Sequence, residues 1–188
     1  MIQPTSITDF NRSNRELEAF WLFSMFVAGK NSDFAAAKVH AVMNKFDQGV
    51  EPIYQMRAMT VQGIEDLLRA CRVGQYGRLT KAILGTMGVD LRTATLDELM
   101  AIHGIGPKTA RFFLVHSRAD CNHAVLDVHI LKFLRANGYP TAPVQTPSGA
   151  IYLKWEKVFL DICKLNYPDK TIAEIDLRIW TEYSGRAA

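Results

Sequence analysis

Apolar residues along this chain recur at three- and four-residue intervals rather than in alternation, so the pattern reads as helix almost throughout. Leu17, Phe20, Trp21 and Ser24 stand at i, i+3, i+4 and i+7, which predicts a helix with one buried face from about Arg15 to Ala28. Gly29, Lys30, Asn31 and Ser32 break it, and Ser32 or Asp33 can cap a second helix running through Ala35, Ala36 and Ala37 to about Phe46. A short helix around Ile64, Leu67, Leu68 and Cys71 follows Thr60. Gly74, Gln75, Tyr76 and Gly77 read as a turn, after which Leu79, Ala82 and Ile83 begin another helix.

Thr95 and Glu98 have the spacing of a capping box, in which each side chain satisfies the other residue's free backbone amide. The helix they start is brief, because Gly104 and Gly106 follow within about two turns. Pro107, which has no amide proton to leave unpaired, suits the first turn of the next helix, and Lys108 to Val115 continue it. A further helix begins at Asp127 and stops near Gly138. Pro140, Pro143, Pro147 and Gly149 make Tyr139 to Gly149 a loop. Beyond it, Ile151, Trp155, Val158, Phe159 and Ile162 mark one helical stripe, and Ile172, Ile175, Ile179, Trp180 and Tyr183 mark the last. No run has a trustworthy strand period, and no internal repeat is visible. The expected fold class is all-α.

Length allows one sizeable core or two small helical lobes, since the chain has 188 residues. With 48% hydrophobic and 22% charged residues it should fold rather than stay disordered. A net charge of +3 is compatible with a nucleic-acid partner without demonstrating one. Cys71, Cys121 and Cys163 are scattered and odd in number, which fits a reducing compartment better than a disulfide framework. The opening segment Met1 to Phe10 is polar and lacks a signal-peptide pattern, and the most apolar stretch, Phe20 to Ala28, is too short to cross a bilayer. A soluble, intracellular protein is expected.

The segment from Leu99 to Ala110 carries the most specific signal. Two short helices meet at Gly104-Ile105-Gly106, where glycine permits positive φ and a close backbone approach to another surface. Amide protons at the start of the second helix then form a cradle for a phosphate oxygen. Ile105 should pack inward and pin the hairpin. Such a contact positions DNA without reading its sequence. A tight helix–helix turn without a ligand is the plainer alternative, but the apolar Ile102 and the run Lys108-Thr109-Ala110 favour binding of a DNA backbone.

Gly104 to Leu131 resembles the helix-hairpin-helix DNA glycosylases, whose motif ends in a downstream catalytic aspartate. In the subset that also cleaves the abasic strand, a lysine follows the second hairpin glycine by two positions, where this chain has Lys108. Asp127 lies within Val125-Leu126-Asp127-Val128-His129, which resembles the family's Val-Asp-x-His pattern. The interval from Lys108 to Asp127 suits the branch that acts on oxidised guanine. More faintly, Val27 to Asp33 resembles the loop that fills the gap left in the duplex, and Gly74 to Arg78 the turn before the hairpin.

The resemblance implies a two-lobed helical fold with a cleft, one lobe from about 32 to 126 holding the hairpin motif at about 95–117, the other built from the N-terminal helix and about 127–188. It implies Lys108 and Asp127 as catalytic residues. Gly104, Ile105, Gly106, Thr109 and His129 would contact DNA, with Lys30, Asn31, Gln75, Tyr76 and Arg78 on the turns beside them. The expected partner is double-stranded DNA carrying a damaged or modified base, bound by a cytoplasmic, nucleoid-associated monomer. Four clustered cysteines would be needed for the family's iron–sulfur cluster, and only Cys163 lies in that region, so none is expected; a monovalent cation at the hairpin remains open.

Such chemistry has a physical logic of its own. A base buried in a duplex must be flipped out, which costs on the order of a few kcal/mol. Breaking the glycosidic bond builds positive charge on the sugar, and a fixed carboxylate opposes it. An aspartate capping a helix is held rigidly. A lysine amine facing the sugar carbon can displace the base and leave a Schiff base, provided that desolvation helps it lose its proton.

Duller readings stand beside these: Asp127 as an N-cap only, Lys108 as a phosphate contact, His129 as a half-buried histidine, and Arg72, Arg78 and Lys81 as a solvated face rather than a phosphate track. His103, where the family often has proline, and the run Ser117 to His123, which lacks Gly/Pro character, leave the substrate open. It is 8-oxoguanine on branch resemblance, or a bulky hypermodified pyrimidine of viral DNA, which would make the protein a defence enzyme. A non-catalytic DNA-binding module is the rival from another class. Cys121, His123 and His129 lack structural-zinc spacing, so no metal is expected. Trp21, Trp155, Trp180, Phe112 and Phe113 are expected in the core.

Overall fold

A computed structural model describes residues 2–185; Met1 and residues 186–188, the end of the lobe expected to run from about 127 to 188, lie outside it. Its elements are helical: α1 (Asn14–Phe26), α2 (Ser32–Met43), α3 (Pro52–Met56), α4 (Val61–Ala70), α5 (Tyr76–Thr86), α6 (Leu96–Ala101), α7 (Pro107–Ser117), α8 (Val128–Ala136), α9 (Gly149–Asn166) and α10 (Ile172–Tyr183). The all-α expectation holds for the described residues. Among them, no helix is long and apolar enough to cross a membrane.

Two compact units divide the chain. The first is Met1–Ile7 with Asn11–Phe113, the second Thr8–Phe10 with Leu114–Ala188. This division differs from the lobes read from sequence, which grouped the N-terminal helix with the C-terminal segment and divided the chain near Asp127. The reason lies in α1. From Leu17 to Phe26 every residue except Glu18 is buried, not merely the one face its periodicity indicated. A helix apolar on all sides must be surrounded. Phe20 and Trp21 pack on Phe113, with ring centroids 5.8 and 4.9 Å apart, while α2 and α3 cover other sides. Ser13 and Glu16 close a capping box at its start.

Helix ends follow cap chemistry more closely than the sequence reading did. Asn31, rather than Ser32 or Asp33, caps α2, its Oδ1 accepting from the amides of Asp33 and Phe34 at 2.9 and 3.3 Å. A side chain one residue earlier reaches both free amides at once. Thr60 caps α4, and α3, too short for any periodicity to reveal, is capped by the carboxylate of Glu18 at the Ile53 amide (2.6 Å). Burial of that carboxylate pushes the Glu18 pKa up.

The second unit has its core on α8, α9 and α10, with Ile130, Leu131, Leu134, Phe159, Ile175 and Ile179 packed together. On α9 the buried face is Tyr152, Trp155, Glu156, Phe159 and Cys163; Ile151, expected in the stripe, is 58% exposed. Ile151 lies one residue, about 100°, off the i, i+3, i+4, i+7 line that starts at Tyr152. Trp180 and Phe112 are half-buried rather than in the core. His116, fully buried, joins the Thr8 hydroxyl (2.8 Å, Nδ1) to the Asp176 carboxylate (3.1 Å, Nε2), and its carbonyl accepts from Asp9 N–H. These bonds explain why Thr8–Phe10 belong to this unit.

In the first unit the Trp21 indole N–H donates to the Thr86 hydroxyl at 2.9 Å in a fully buried setting. Thr86→Val keeps the volume and leaves that donor without its acceptor. Unfolding in urea should show a loss of about 1–3 kcal/mol; a midpoint equal to wild type would mean that the bond contributes nothing.

Candidate nucleic-acid interface

Helix α6 starts at a capping box, Thr95 N–H donating to Glu98 Oε2 at 2.7 Å and Glu98 N–H to Thr95 Oγ1 at 3.3 Å. It ends at Ile102, whose buried side chain fits against α5 because Gly85 there has no Cβ; one would stand 3.0 Å from Ile102 Cγ2. Ile105 turns inward, 6% exposed, with its N–H on the Ile102 carbonyl. The two isoleucines pin the hairpin from inside.

The hairpin glycines differ from each other. Gly104 has φ +80°, a left-handed conformation, and a Cβ there would stand 2.7 Å from Arg78 Cγ. Gly106 is outside the positive-φ residues, and a Cβ on it would meet nothing within 4 Å. Among the described residues no neighbour requires a glycine at position 106, and its backbone is open on that side. It leads into α7, whose first N–H groups, as in any α-helix, have no intrahelical acceptor. Lys108 is half-buried on that first turn. Thr109, expected at the DNA, is only 9% exposed and faces the interior.

Arg78 organises this region. Its Nε donates to Gln75 Oε1 (2.6 Å), its Nη1 to the Gly104 carbonyl (2.8 Å) and its Nη2 to the Met25 carbonyl (3.0 Å). The planar guanidinium offers a fixed fork of donors, and here each nitrogen meets an acceptor of the protein. Burial pushes the Arg78 pKa down, though a guanidinium keeps its charge at any ordinary pH. Arg78 thus acts as a buttress under the hairpin, a role the sequence did not suggest for it.

The turn before α5 lies earlier than expected: α5 starts at Tyr76, so Tyr76, Gly77 and Arg78 are helical, and the turn occupies Arg72 to Gln75. Arg72 (φ 53°), Gly74 (φ 81°) and Gln75 (φ 49°) are all left-handed. For a non-glycine residue that conformation costs roughly 1–2 kcal/mol. Gln75 is held in it by its own side chain, which accepts from Arg78 and donates to the Ala28 carbonyl at 3.2 Å. Gln75 and Lys30 are exposed and Tyr76 is half-buried, with the Arg69 guanidinium 4.5 Å from the centre of its ring. The first unit thus gathers Gln75 and the hairpin around one arginine, with Lys30 beside Gly74; Asn31, also exposed, spends its carbonyl oxygen on capping α2.

Asp127 belongs to the second unit and caps α8, its Oδ1 accepting from the amides of His129 and Ile130 at 2.8 and 2.9 Å. Both Asp127 and His129 are half-buried. The segment before Asp127 has no regular structure, yet Ala124, Val125 and Leu126 are buried. Tyr152, on α9, holds it with one hydroxyl, donating to the Ala124 carbonyl (2.8 Å) and accepting from Leu126 N–H (3.0 Å). Glu156 accepts from Ala124 N–H (2.9 Å), and the Thr146 hydroxyl donates to the Leu126 carbonyl (2.8 Å). Sequence reading missed all three residues. The one available signal was a tyrosine and a glutamate interrupting the apolar face of α9.

Among the described residues no three His, Cys, Asp or Glu side chains are grouped to hold a metal ion. Near the Asp127 segment, burial pushes the Cys121 thiol up to about 11, which leaves little thiolate as a ligand or nucleophile at neutral pH.

Residues 89–114 match the model of the helix-hairpin-helix motif, so the hairpin is of that kind. In three dimensions the chain is similar to the 8-oxoguanine DNA glycosylase of Methanocaldococcus jannaschii, with a TM-score of 0.71, 22% identity, and coverage of 97% of this chain and 85% of that one. A structure described as the 8-oxoguanine glycosylase/lyase of the same organism in complex with a 15mer DNA containing 8-oxoguanine matches with a TM-score of 0.69 and 22% identity over 95% and 85% of the two chains. The 8-oxoguanine DNA glycosylase of Thermotoga maritima matches with a TM-score of 0.67 and 16% identity over 93% and 82%. The chain has the helical fold of these enzymes.

Gly104→Ala combines a left-handed backbone with the close approach to Arg78, and should destabilise the protein by about 1–2 kcal/mol. Gly106→Ala meets neither obstacle and should unfold much nearer to wild type. Equal unfolding midpoints for the two variants would contradict this account of the hairpin.

Proposed function

We propose that the protein is a DNA glycosylase that flips a damaged or modified base out of double-stranded DNA, excises it, and cleaves the abasic strand through a Schiff base on Lys108. The observation that carries this reading is Gly106, a hairpin glycine with no internal reason to be glycine, placed immediately before the helix that bears Lys108 in a fold shared with 8-oxoguanine DNA glycosylases. A phosphate seated on the amides at the start of α7 would bring the backbone of the DNA to the first turn of that helix.

In this mechanism the neutral Lys108 amine forms a bond to the sugar C1′ as the bond from C1′ to the base breaks. The base leaves with the bonding electron pair and takes up a proton. Asp127 stabilises the positive charge that gathers on the sugar and takes part in proton transfer. Its two bonds from the α8 amides orient the carboxylate in advance. For the base, 8-oxoguanine is the proposal, supported by the substrate that the similar structures' own descriptions give them.

Borohydride trapping on abasic-site duplex DNA tests the covalent step. Wild type should be trapped and Lys108→Gln should not, while its DNA affinity stays within a few-fold of wild type. Equal trapping of both would remove Lys108 as nucleophile. Asp127→Asn should slow release of 8-oxoguanine by at least about a hundredfold, the scale at which a preorganised charge contributes; an unchanged rate would remove Asp127 from the reaction, and no release by wild type would favour a passive DNA-binding module.

Arg78 gives a separate test of its role. Loss of a direct phosphate contact lowers the slope of log affinity against log salt by about 0.9. Arg78→Met should weaken duplex binding with that slope kept, because the arginine supports the hairpin from within. A slope lower by a full contact would return Arg78 to the DNA surface.

A further inference from the structure

The segment Ala124 to Leu126 is buried without being helix or strand, so its backbone groups must find partners elsewhere. Four are supplied by side chains distant in sequence. The Tyr152 hydroxyl takes two, the Ala124 carbonyl and the Leu126 amide; Glu156 takes the Ala124 amide and Thr146 the Leu126 carbonyl. Tyr152 is itself 1% exposed in the core of the second unit and therefore cannot swing away. The next residue is Asp127, whose N–H returns to the Val125 carbonyl at 2.8 Å and whose carboxylate meets the His129 and Ile130 amides.

We infer that Tyr152 is a positioning residue for the Asp127 carboxylate, its single hydroxyl fixing both ends of the three-residue segment that delivers Asp127 to the start of α8. The inference rests on Asp127 being the reacting carboxylate. A hydroxyl that donates at one end and accepts at the other sets the distance between residues 124 and 126 in a way that apolar packing would not. Helix capping alone orients the carboxylate relative to α8; the tyrosine adds the restraint on the chain entering it. Glu156 and Thr146 add the Ala124 amide and the Leu126 carbonyl, so both backbone groups of Ala124 and of Leu126 are tied to side chains of the unit.

The test combines base release with amide exchange. Single-turnover release of 8-oxoguanine from duplex DNA is measured for wild type, Tyr152→Phe, Asp127→Asn and the double variant, with DNA affinity measured alongside. Displacement of a reacting group by about an ångström costs on the order of a hundredfold in rate. Tyr152→Phe should therefore release base about ten- to a hundredfold more slowly with affinity unchanged. The double variant should match Asp127→Asn alone, since a residue acting through Asp127 has nothing left to position. Hydrogen exchange at the His129 and Ile130 amides, which needs no substrate, should speed up at least tenfold in Tyr152→Phe.

Losses that multiply in the double variant would show general loosening and overturn the inference, as would a wild-type rate in Tyr152→Phe. If Asp127→Asn works normally, or wild type releases no 8-oxoguanine, the functional reading fails instead. Amide exchange then decides for Tyr152: unchanged protection at His129 and Ile130 overturns the positioning role, and lost protection upholds it. Should Tyr152→Phe fail to fold, Thr146→Val removes one bond of the same set from an exposed loop residue, and the same two readouts apply with smaller changes.

Discussion

A single guanidinium joins backbone that is far apart in the chain. Arg78 donates to the carbonyl of Met25, 53 positions before it, and to that of Gly104, 26 positions after it, and holds Gln75 across one helical turn. Each of those acceptors ends or interrupts a helix, where carbonyls lack intrahelical donors or turns leave side chains free. An arginine suits the position because its donors are coplanar and its charge persists when burial penalises it. The hairpin conformation, the left-handed Gln75 and the end of α1 all depend on this one side chain. Its presence also explains Gly104, since any larger residue would meet the arginine's own stem.

The second unit solves a similar problem with several side chains instead of one arginine. Asp127 must leave an irregular, buried segment and enter a helix, and every polar backbone group on the way needs a partner in low dielectric. Tyr152, Glu156 and Thr146 supply four of those partners from α9 and the loop before it. Elsewhere in that unit His116 does comparable service between Thr8 and Asp176, drawing three residues near the N-terminus into a core otherwise made by the C-terminal part of the chain. In both units, then, irregular backbone carrying proposed functional residues is fixed by polar side chains that are remote in sequence.

Much of the local structure was legible beforehand. The capping box at Thr95 and Glu98, Pro107 in the first turn of α7, Asp127 at the start of α8 and the inward Ile105 all follow from chemistry within four residues. Such interactions leave a mark in a linear string. The candidate contacts differ in their surroundings for the same reason. Gly104 and Gly106 looked equivalent in sequence, but only the backbone angles separate a glycine required by conformation from one with open space beside it. Thr109 lies on the inner side of α7, each nitrogen of Arg78 donates to the protein, and Asn31 spends its side-chain oxygen on capping α2.

By itself, the sequence determined the helical class, most helix starts and the hairpin with its lysine and aspartate, because periodicity and capping act over one or two turns and are written in neighbouring residues. Tertiary structure alone decided that α1 is enclosed on all sides and grouped with the first unit. It also decided that Ile151 faces solvent while Tyr152 faces the core, and that Arg78 and Tyr152 hold the segments around the hairpin and Asp127. These are matters of which distant groups meet once water is excluded, and a buried carbonyl accepts a donor from anywhere in the chain that geometry brings within reach.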